Sequence, residues 1–218
     1  MFEAVIFDWD GTLADTRQVI VISFQEALSE INCKVSAEYV ERRIGIGAAE
    51  TFREILRSAK KPSGEKVIQD LIERKSQLEI ELTPQVKLFP GARELLEALQ
   101  GKVKVGLASM NNCSVIMHLV EANNLEKYFG AILTADSVFH SKPNPEIFLK
   151  AASELKTKPE KCVVFEDSIF GVKAAKSAKM GCVGVTTGVY SEEELEKEKP
   201  DLVVKALNES LILPFILQ

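Results

Sequence analysis

Apolar positions along this chain change their period more than once. Residues 4–7 (Ala4-Val5-Ile6-Phe7) are continuously apolar, as a strand buried on both faces of a parallel sheet is. From Arg17 to about Leu82 the apolar residues instead recur at helical spacing. Val21, Phe24, Leu28 and Ile31 form one stripe. Phe52, Ile55, Leu56 and Ala59 form a second, and Val67, Leu71, Ile72, Leu78 and Leu82 a third. Thr16 stands where it can cap the first helix and Ser36 where it can cap a shorter one. Pro62-Ser63-Gly64 breaks the stretch, and no strand pattern occurs within it.

After Thr83-Pro84, short apolar runs alternate with helical patterns of roughly ten residues. Strands are predicted at 103–108, 131–134, 162–165, 183–185 and 202–204. Helices are predicted at 92–100, after Pro90-Gly91, and at 114–123. Another starts with Asn144 as cap and Pro145 in its first turn. A further helix covers 170–179, with Gly181 as its C-cap. Ser191-x-x-Glu194 reads as a capping box for one more. Strands alternating with helices mean a parallel sheet with helices on both faces. The predicted fold class is therefore α/β. Residues 1–15 and 84–218 form a Rossmann-like core, and residues 16–83 form an inserted all-helical module.

Composition narrows this little. The chain has 218 residues, 46% hydrophobic and 27% charged, enough for a buried core. Its net charge of −5 and pI of about 5.3 give no reason to expect a nucleic-acid or lipid-headgroup partner. There is no leader pattern and no apolar run of membrane length, so a cytoplasmic protein is expected, with a monomer as the default. Cys33, Cys113, Cys162 and Cys182 are scattered and, with His118 and His140, do not have zinc-site spacing.

Four strand ends carry the candidate chemistry. Asp8-Trp9-Asp10-Gly11-Thr12 follows the first strand, where open α/β sheets place their ligands. One Asp there could attack while the other handles protons, or the segment is an ordinary turn. Ser109 ends the 103–108 strand and reads as a helix cap or as part of an anion site. Lys142 sits in the stiff loop Ser141-Lys142-Pro143-Asn144-Pro145 and is either solvated or a point charge for a phosphate. Glu166-Asp167 follows the 162–165 strand. Two adjacent acids there are either a solvated acidic turn or the oxygen ligands of a hard cation such as magnesium.

Taken in order, these pieces resemble the motif set of the haloacid dehalogenase superfamily. The segment 165–175 (Phe165-Glu166-Asp167-Ser168-Ile169-Phe170-Gly171-Val172-Lys173-Ala174-Ala175) is very similar to the fourth motif of its β-phosphoglucomutase-like and phosphoglycolate-phosphatase-like branch. Residues 8–16, with Leu13 and Asp15-Thr16, match the same branch, and the helical insert lies where that branch carries its cap. The resemblance implies a magnesium-dependent phosphatase of a small phosphorylated metabolite. By it Asp8 is the nucleophile that forms an aspartyl-phosphate, and Asp10 is the general acid and then base. Asp8, Asp10 (through its carbonyl), Glu166 and Asp167 hold the metal. Ser109 and Lys142 hold phosphate oxygens. Trp9 departs from the smaller residue usual in the family and reads as core packing.

The same branch contains a phosphomutase, which needs cations in its cap. Ile20 stands where the mutase has a histidine, and the loop Gly45-Ile46-Gly47-Ala48-Ala49 has no cation. Lys75 matches a mutase lysine but reads as a solvated helix face. Hydrolysis is therefore the expectation and the phosphomutase the alternative. Arg42, Arg43 and Arg53 are candidate substrate contacts. A dehalogenase would not be expected to keep Asp10 with Glu166-Asp167. A phosphonatase would need a further cap lysine, and a silent binding protein would more readily have lost Asp8 or Asp10.

Overall fold

The N-terminal apolar run is β1 (Ala4–Phe7), with every residue buried, in a computed structural model that describes residues 1–218. A two-residue strand, β2 (Ala14–Asp15), leads into α1 (Arg17–Ser29), α2 (Ala37–Glu41), α3 (Ala48–Ser58) and α4 (Glu65–Glu81). The chain leaves these helices through β3 (Lys87–Leu88), which pairs antiparallel with β2. Next come α5 (Ala92–Leu99), β4 (Lys104–Ala108), α6 (Cys113–Ala122), β5 (Ala131–Leu133) and α7 (Glu146–Glu154). The remainder is β6 (Cys162–Glu166), α8 (Ile169–Ser177), β7 (Gly181–Val185), α9 (Glu192–Glu196), β8 (Leu202–Val204) and α10 (Ile212–Leu217).

Six strands form one parallel sheet in the order β5-β4-β1-β6-β7-β8. The chain builds outward from β1 through β4 to β5, then crosses to β6 on the other side of β1. That reversal opens a crevice at the C-terminal ends of β1, β4 and β6. Side-chain alternation divides the core between the two faces. Val5 and Phe7 pack with Leu96 of α5 and Ile116 of α6, while Ala4 and Ile6 pack with Phe148 of α7 and Val172 of α8. The parallel sheet between helices is the α/β Rossmann-like fold that the alternation predicts. No helix is long and apolar enough to cross a membrane.

The four helices between β2 and β3 enclose an apolar cluster of their own. Phe24 of α1 and Phe52 of α3 meet there with ring centroids 4.5 Å apart. Six residues of the predicted stripes fall outside that cluster's buried set: Val67, Ile72, Leu78 and Leu82 of the third stripe are half-buried, and one residue departs in each of the other two. Ile31 lies half-buried past the end of α1, and Ala59 is exposed at the end of α3.

Several local expectations are corrected. Thr16 occupies the N-cap of α1, but its hydroxyl makes no cap bond and instead donates to Asp10 Oδ1 at 2.8 Å. Capping would use the hydroxyl oxygen as acceptor, but the Thr16 backbone is helical (φ −106°, ψ −2°) rather than extended as in a capping residue. Ser36 does cap α2, accepting from the Tyr39 N–H at 3.2 Å. The seventh helix begins at Glu146 rather than at Pro145, with Asn144 accepting from the Glu146 N–H at 3.0 Å. Gly181 is no C-cap. The left-handed residue after α8 is Lys179 (φ 61°), and Gly181 opens β7, where a Cβ would stand 2.6 Å from the Phe2 ring. The strands β2 and β3 and the helix α10 carried no readable signal: two residues cannot show alternation, and α10 is short and contains Pro214.

Phe52 is fully buried, so Phe52→Ala should lower stability by about 3–5 kcal/mol. Urea unfolding should show this as a lower midpoint at an unchanged slope.

Candidate active site

Parallel neighbours bring the strand ends together. Asp8 follows β1, Ser109 follows β4 and Glu166 ends β6, and these three strands are adjacent. Lys142 reaches the same point from the loop between β5 and α7. Its Nζ donates to Asp8 Oδ1 at 2.6 Å, to Glu166 Oε1 at 2.6 Å and to the Ala108 carbonyl at 3.2 Å. This lysine is not solvated: it is 1% exposed. Asp8, Glu166 and Asp167 are all buried, and one carboxylate oxygen from each lies within 4.8 Å of the others.

The backbone is shaped around these acids. A Cβ on Gly11 or Gly188 would collide with the Asp167 carboxyl, and one on Gly171 with that of Glu166. Gly11 also has φ +86°, which favours glycine on its own account. Thr12 Oγ1 donates to Asp167 Oδ1 at 3.2 Å. Glu166 Oε2 accepts from the Ser168 N–H at 3.0 Å and from its hydroxyl at 2.9 Å. The Ser168 Oγ in turn caps α8, accepting from the Gly171 N–H at 3.0 Å.

Asp10 lies beside this cluster with each oxygen held by a hydroxyl. Thr16 donates to Oδ1 at 2.8 Å and Ser109 donates to Oδ2 at 3.1 Å. Ser109 Oγ also accepts from the Asn111 N–H at 3.0 Å, which fixes the hydroxyl's direction. Trp9 is fully buried among apolar residues, the packing role its size suggests.

Burial governs the protonation of the site. It pushes the Asp8 carboxyl well above the usual carboxylate range; Lys142 opposes, and Glu166 and Asp10 push further up. Asp167 is likewise pushed well up, by burial first and then by Glu166 and Asp8. Asp10 is raised by burial, against the pull of Lys75 and the two hydroxyls. Burial works against the charge of Lys142, but Asp8 and Glu166 outweigh it and lift the ammonium above its ordinary value. At an effective dielectric of about 20, two like charges 4.8 Å apart repel by roughly 3–4 kcal/mol. Asp8, Glu166 and Asp167 thus share one lysine, and a bound cation would offset the excess negative charge. The donor set is all oxygen, as a hard divalent ion requires.

Lys75 contradicts the solvated reading. It is 3% exposed on α4, bonded to Glu79 Oε2 at 2.6 Å and to Asn111 Oδ1 at 3.2 Å. A signal for it existed: Ile68, Leu71, Lys75 and Glu79 continue one helical stripe, and all four are buried. Asn111, Thr12 and the hydroxyl of Thr16 acting on Asp10 carried no such signal. Burial raises the Glu79 carboxyl, with Lys75 opposing. Of the three arginines, only Arg43 borders the cavity over Asp8 and Asp10. Arg42 instead spans to Glu194 of α9 at 2.5 Å, with its carbonyl accepting from Tyr190 at 2.7 Å. Arg53 pairs with Glu50 and Glu65 within the insert. The cavity is small, about 30 Å³, with Ile20, Phe24 and Lys75 of the insert facing the two aspartates.

A family model described as haloacid dehalogenase-like hydrolase matches residues 5–185, and the chain belongs to that family and is one of its hydrolases. Among its relatives, a phosphorylated carbohydrates phosphatase of Thermotoga maritima is 37% identical over 179 residues, covering 81% of each chain. A β-phosphoglucomutase of Bacillus subtilis is 32% identical over 220 residues, covering 95% of this chain and 94% of that one. The solved structure of a hydrolase from Pseudomonas syringae superposes with a TM-score of 0.90 at 29% identity, covering 99% of this chain and all of that one.

Asp8, Asp10 and Asp167 bind protons more tightly folded than unfolded, so above about pH 4.5 the protein in chelator should lose stability as pH rises. Below that, Glu146 and Glu194, held down to about 2 by Lys150 and Arg42 respectively, lose their pairing as they protonate. Thermal melts in chelator should therefore peak in the mildly acidic range, and a metal-free optimum above neutrality would contradict this balance.

Proposed function

We infer that this chain is a magnesium-dependent phosphatase that hydrolyses a small phosphomonoester through an aspartyl-phosphate on Asp8. Residues 1–15 and 84–218 would be its catalytic core and 16–83 a cap that closes over the site. The observation that carries this reading is the buried group Asp8, Lys142, Glu166 and Asp167, beside an independently held Asp10 that lines one cavity with Asp8.

The chemistry follows from what each side chain can do. An Asp8 oxygen attacks phosphorus, and the bond from phosphorus to the leaving oxygen breaks. Asp10, whose raised pKa favours its protonated form, gives its proton to that oxygen. The Thr16 and Ser109 hydroxyls suit both states, since each can donate to the carboxylate or accept from the acid. In the second half-reaction Asp10 takes a proton from water, the water oxygen attacks phosphorus, and phosphate leaves with the Asp8 carboxylate regenerated. Lys142 and Ser109 would steady phosphate oxygens. Asp8, Glu166, Asp167 and the Asp10 carbonyl are the groups that would hold magnesium. When bound, that ion supplies the positive charge that lets a carboxylate approach a phosphate dianion.

The buried Lys75 is the observation that favours a phosphomutase, because a mutase must hold a second phosphate on the cap side. Its pairing with Glu79 weakens that reading, as does Ile20 in the cavity wall.

Phosphate release from a panel of small phosphomonoesters, in magnesium and in chelator, tests the proposal. Release that needs magnesium is expected. If none is released, conversion of β-glucose 1-phosphate to glucose 6-phosphate would establish the mutase instead. Asp8→Asn should reduce turnover by at least about 10⁴-fold with the circular dichroism spectrum and melting transition retained. Substantial residual turnover in that variant would remove Asp8 from the nucleophile's role.

A further inference from the structure

The cap side of the cavity is electrically self-contained. Its apolar wall is Ile20, Phe24, Val40, Ile44 and Ala48. Two cations border it, and each already has a carboxylate. Arg43 Nε lies 2.5 Å from Glu54 Oε2, and the guanidinium stacks over the Tyr39 ring at 3.5 Å. Lys75 Nζ lies 2.6 Å from Glu79 Oε2, and its remaining contacts are Asn111 Oδ1 at 3.2 Å and the Phe24 ring at 5.4 Å.

The second pair matters more, because it is sealed from water. The Lys75 and Glu79 side chains are 4% and 2% exposed, whereas the Arg43 and Glu54 side chains are 27% and 35% exposed. Solvent does little to screen a charge in such a place, so the partner chosen for Lys75 sets the local potential. Glu79 is held by more than the lysine: its Oε1 accepts from Asn111 Nδ2 at 3.5 Å. Asn111 is itself fixed, because its Oδ1 accepts from the Asn112 N–H at 2.9 Å. The pair therefore has a set orientation and no free positive charge to offer a leaving group.

We propose that Glu79 is a specificity residue: by neutralising Lys75 it restricts this enzyme to phosphomonoesters whose leaving group is uncharged, such as a polyol or sugar, and excludes those carrying a carboxylate or a second phosphate. This rests on the phosphatase reading. A carboxylate entering the cavity would lose its hydration and find an apolar wall and a lysine already paired. A hydroxyl-bearing leaving group loses far less, and Asn111, Thr51 and the Lys75–Glu79 pair offer donors and acceptors alike.

The test is kcat/KM in magnesium for glycerol 3-phosphate, ribose 5-phosphate and glucose 6-phosphate against phosphoglycolate and fructose 1,6-bisphosphate. The best neutral ester is expected to exceed both anionic ones by tenfold or more. Glu79→Gln keeps the shape and the bond from Asn111 but frees the charge of Lys75. It should raise the ratio of phosphoglycolate to the best neutral ester by about tenfold, mostly through KM. A purely structural role for Glu79 would lower all substrates together and leave that ratio unmoved, which would overturn the proposal. So would a preference for phosphoglycolate or the bisphosphate in the unaltered protein. Absence of hydrolysis across the whole panel would instead overturn the phosphatase reading beneath it. If Glu79→Gln fails to fold, the pair Lys75→Met with Glu79→Met removes both charges at once. That variant should keep the unaltered order of substrates, and a shift toward the anionic esters would refute the assignment.

Discussion

Lys142 sits buried between Asp8 and Glu166, and the acidic end of the sheet depends on that bridge. Four carboxylates converge where desolvation penalises every one of them. Lys142 offsets part of that cost at Asp8 and Glu166, Lys75 offsets part at Asp10, and the remaining excess of negative charge suits a cation. The surrounding backbone is built to keep the acids close. Gly11, Gly171 and Gly188 each stand where a side chain would push a carboxyl away. Donors from Thr12 and Ser168 then fix the oxygens that Lys142 does not reach. Stability alone would not select this arrangement, since an apolar filling of the same volume would be no worse.

The sheet was legible because each of its buried strands is continuous and short and lies between helical patterns. Parallel order then required Asp8, Ser109 and Glu166 to share an edge, since each follows a strand and strand ends of one sense lie together. What sequence could not supply was burial. Lys142 and Lys75 are both lysines that composition would place in water, and both are sealed. For Lys75 the stripe of Ile68, Leu71 and Glu79 was visible in principle, but a charged pair at i and i+4 is also the usual mark of a solvated helix face. Only the packing of α4 against the loop carrying Asn111 decides between the two. Thr16 is a similar case: its place before α1 was readable, whereas the use of its hydroxyl depends on where the strand end leaves Asp10.

Arg42 shows how the insert and the sheet are joined away from the chemistry. Its guanidinium pairs with Glu194, lies over the Tyr190 ring at 4.2 Å, and its carbonyl accepts from the Tyr190 hydroxyl. Glu194 also completes the capping box of α9, so one carboxylate serves both a helix end and the contact to the insert. Such an exposed ion pair is worth little in isolation. Its position matters more, because it ties the insert to α9, apart from the β2–β3 ribbon where the chain crosses between the two parts.

Asp10 is where the two parts meet chemically. One oxygen takes its bond from Thr16, the residue at the head of α1, and the other from Ser109 at the end of β4. Lys75, from the last helix of the insert, also acts on its charge. A general acid needs its proton when the leaving group departs and must lose it before water can be activated. The cavity over Asp8 and Asp10 is small, and the insert supplies Ile20, Phe24 and Lys75 to its wall. Any movement that carries Thr16 and Lys75 with the insert changes the donors and the field at Asp10 at the same time. Access and proton affinity would then follow the same displacement. An acid held only by core residues would lack that coupling, and its protonation would be indifferent to whether the site was open or closed.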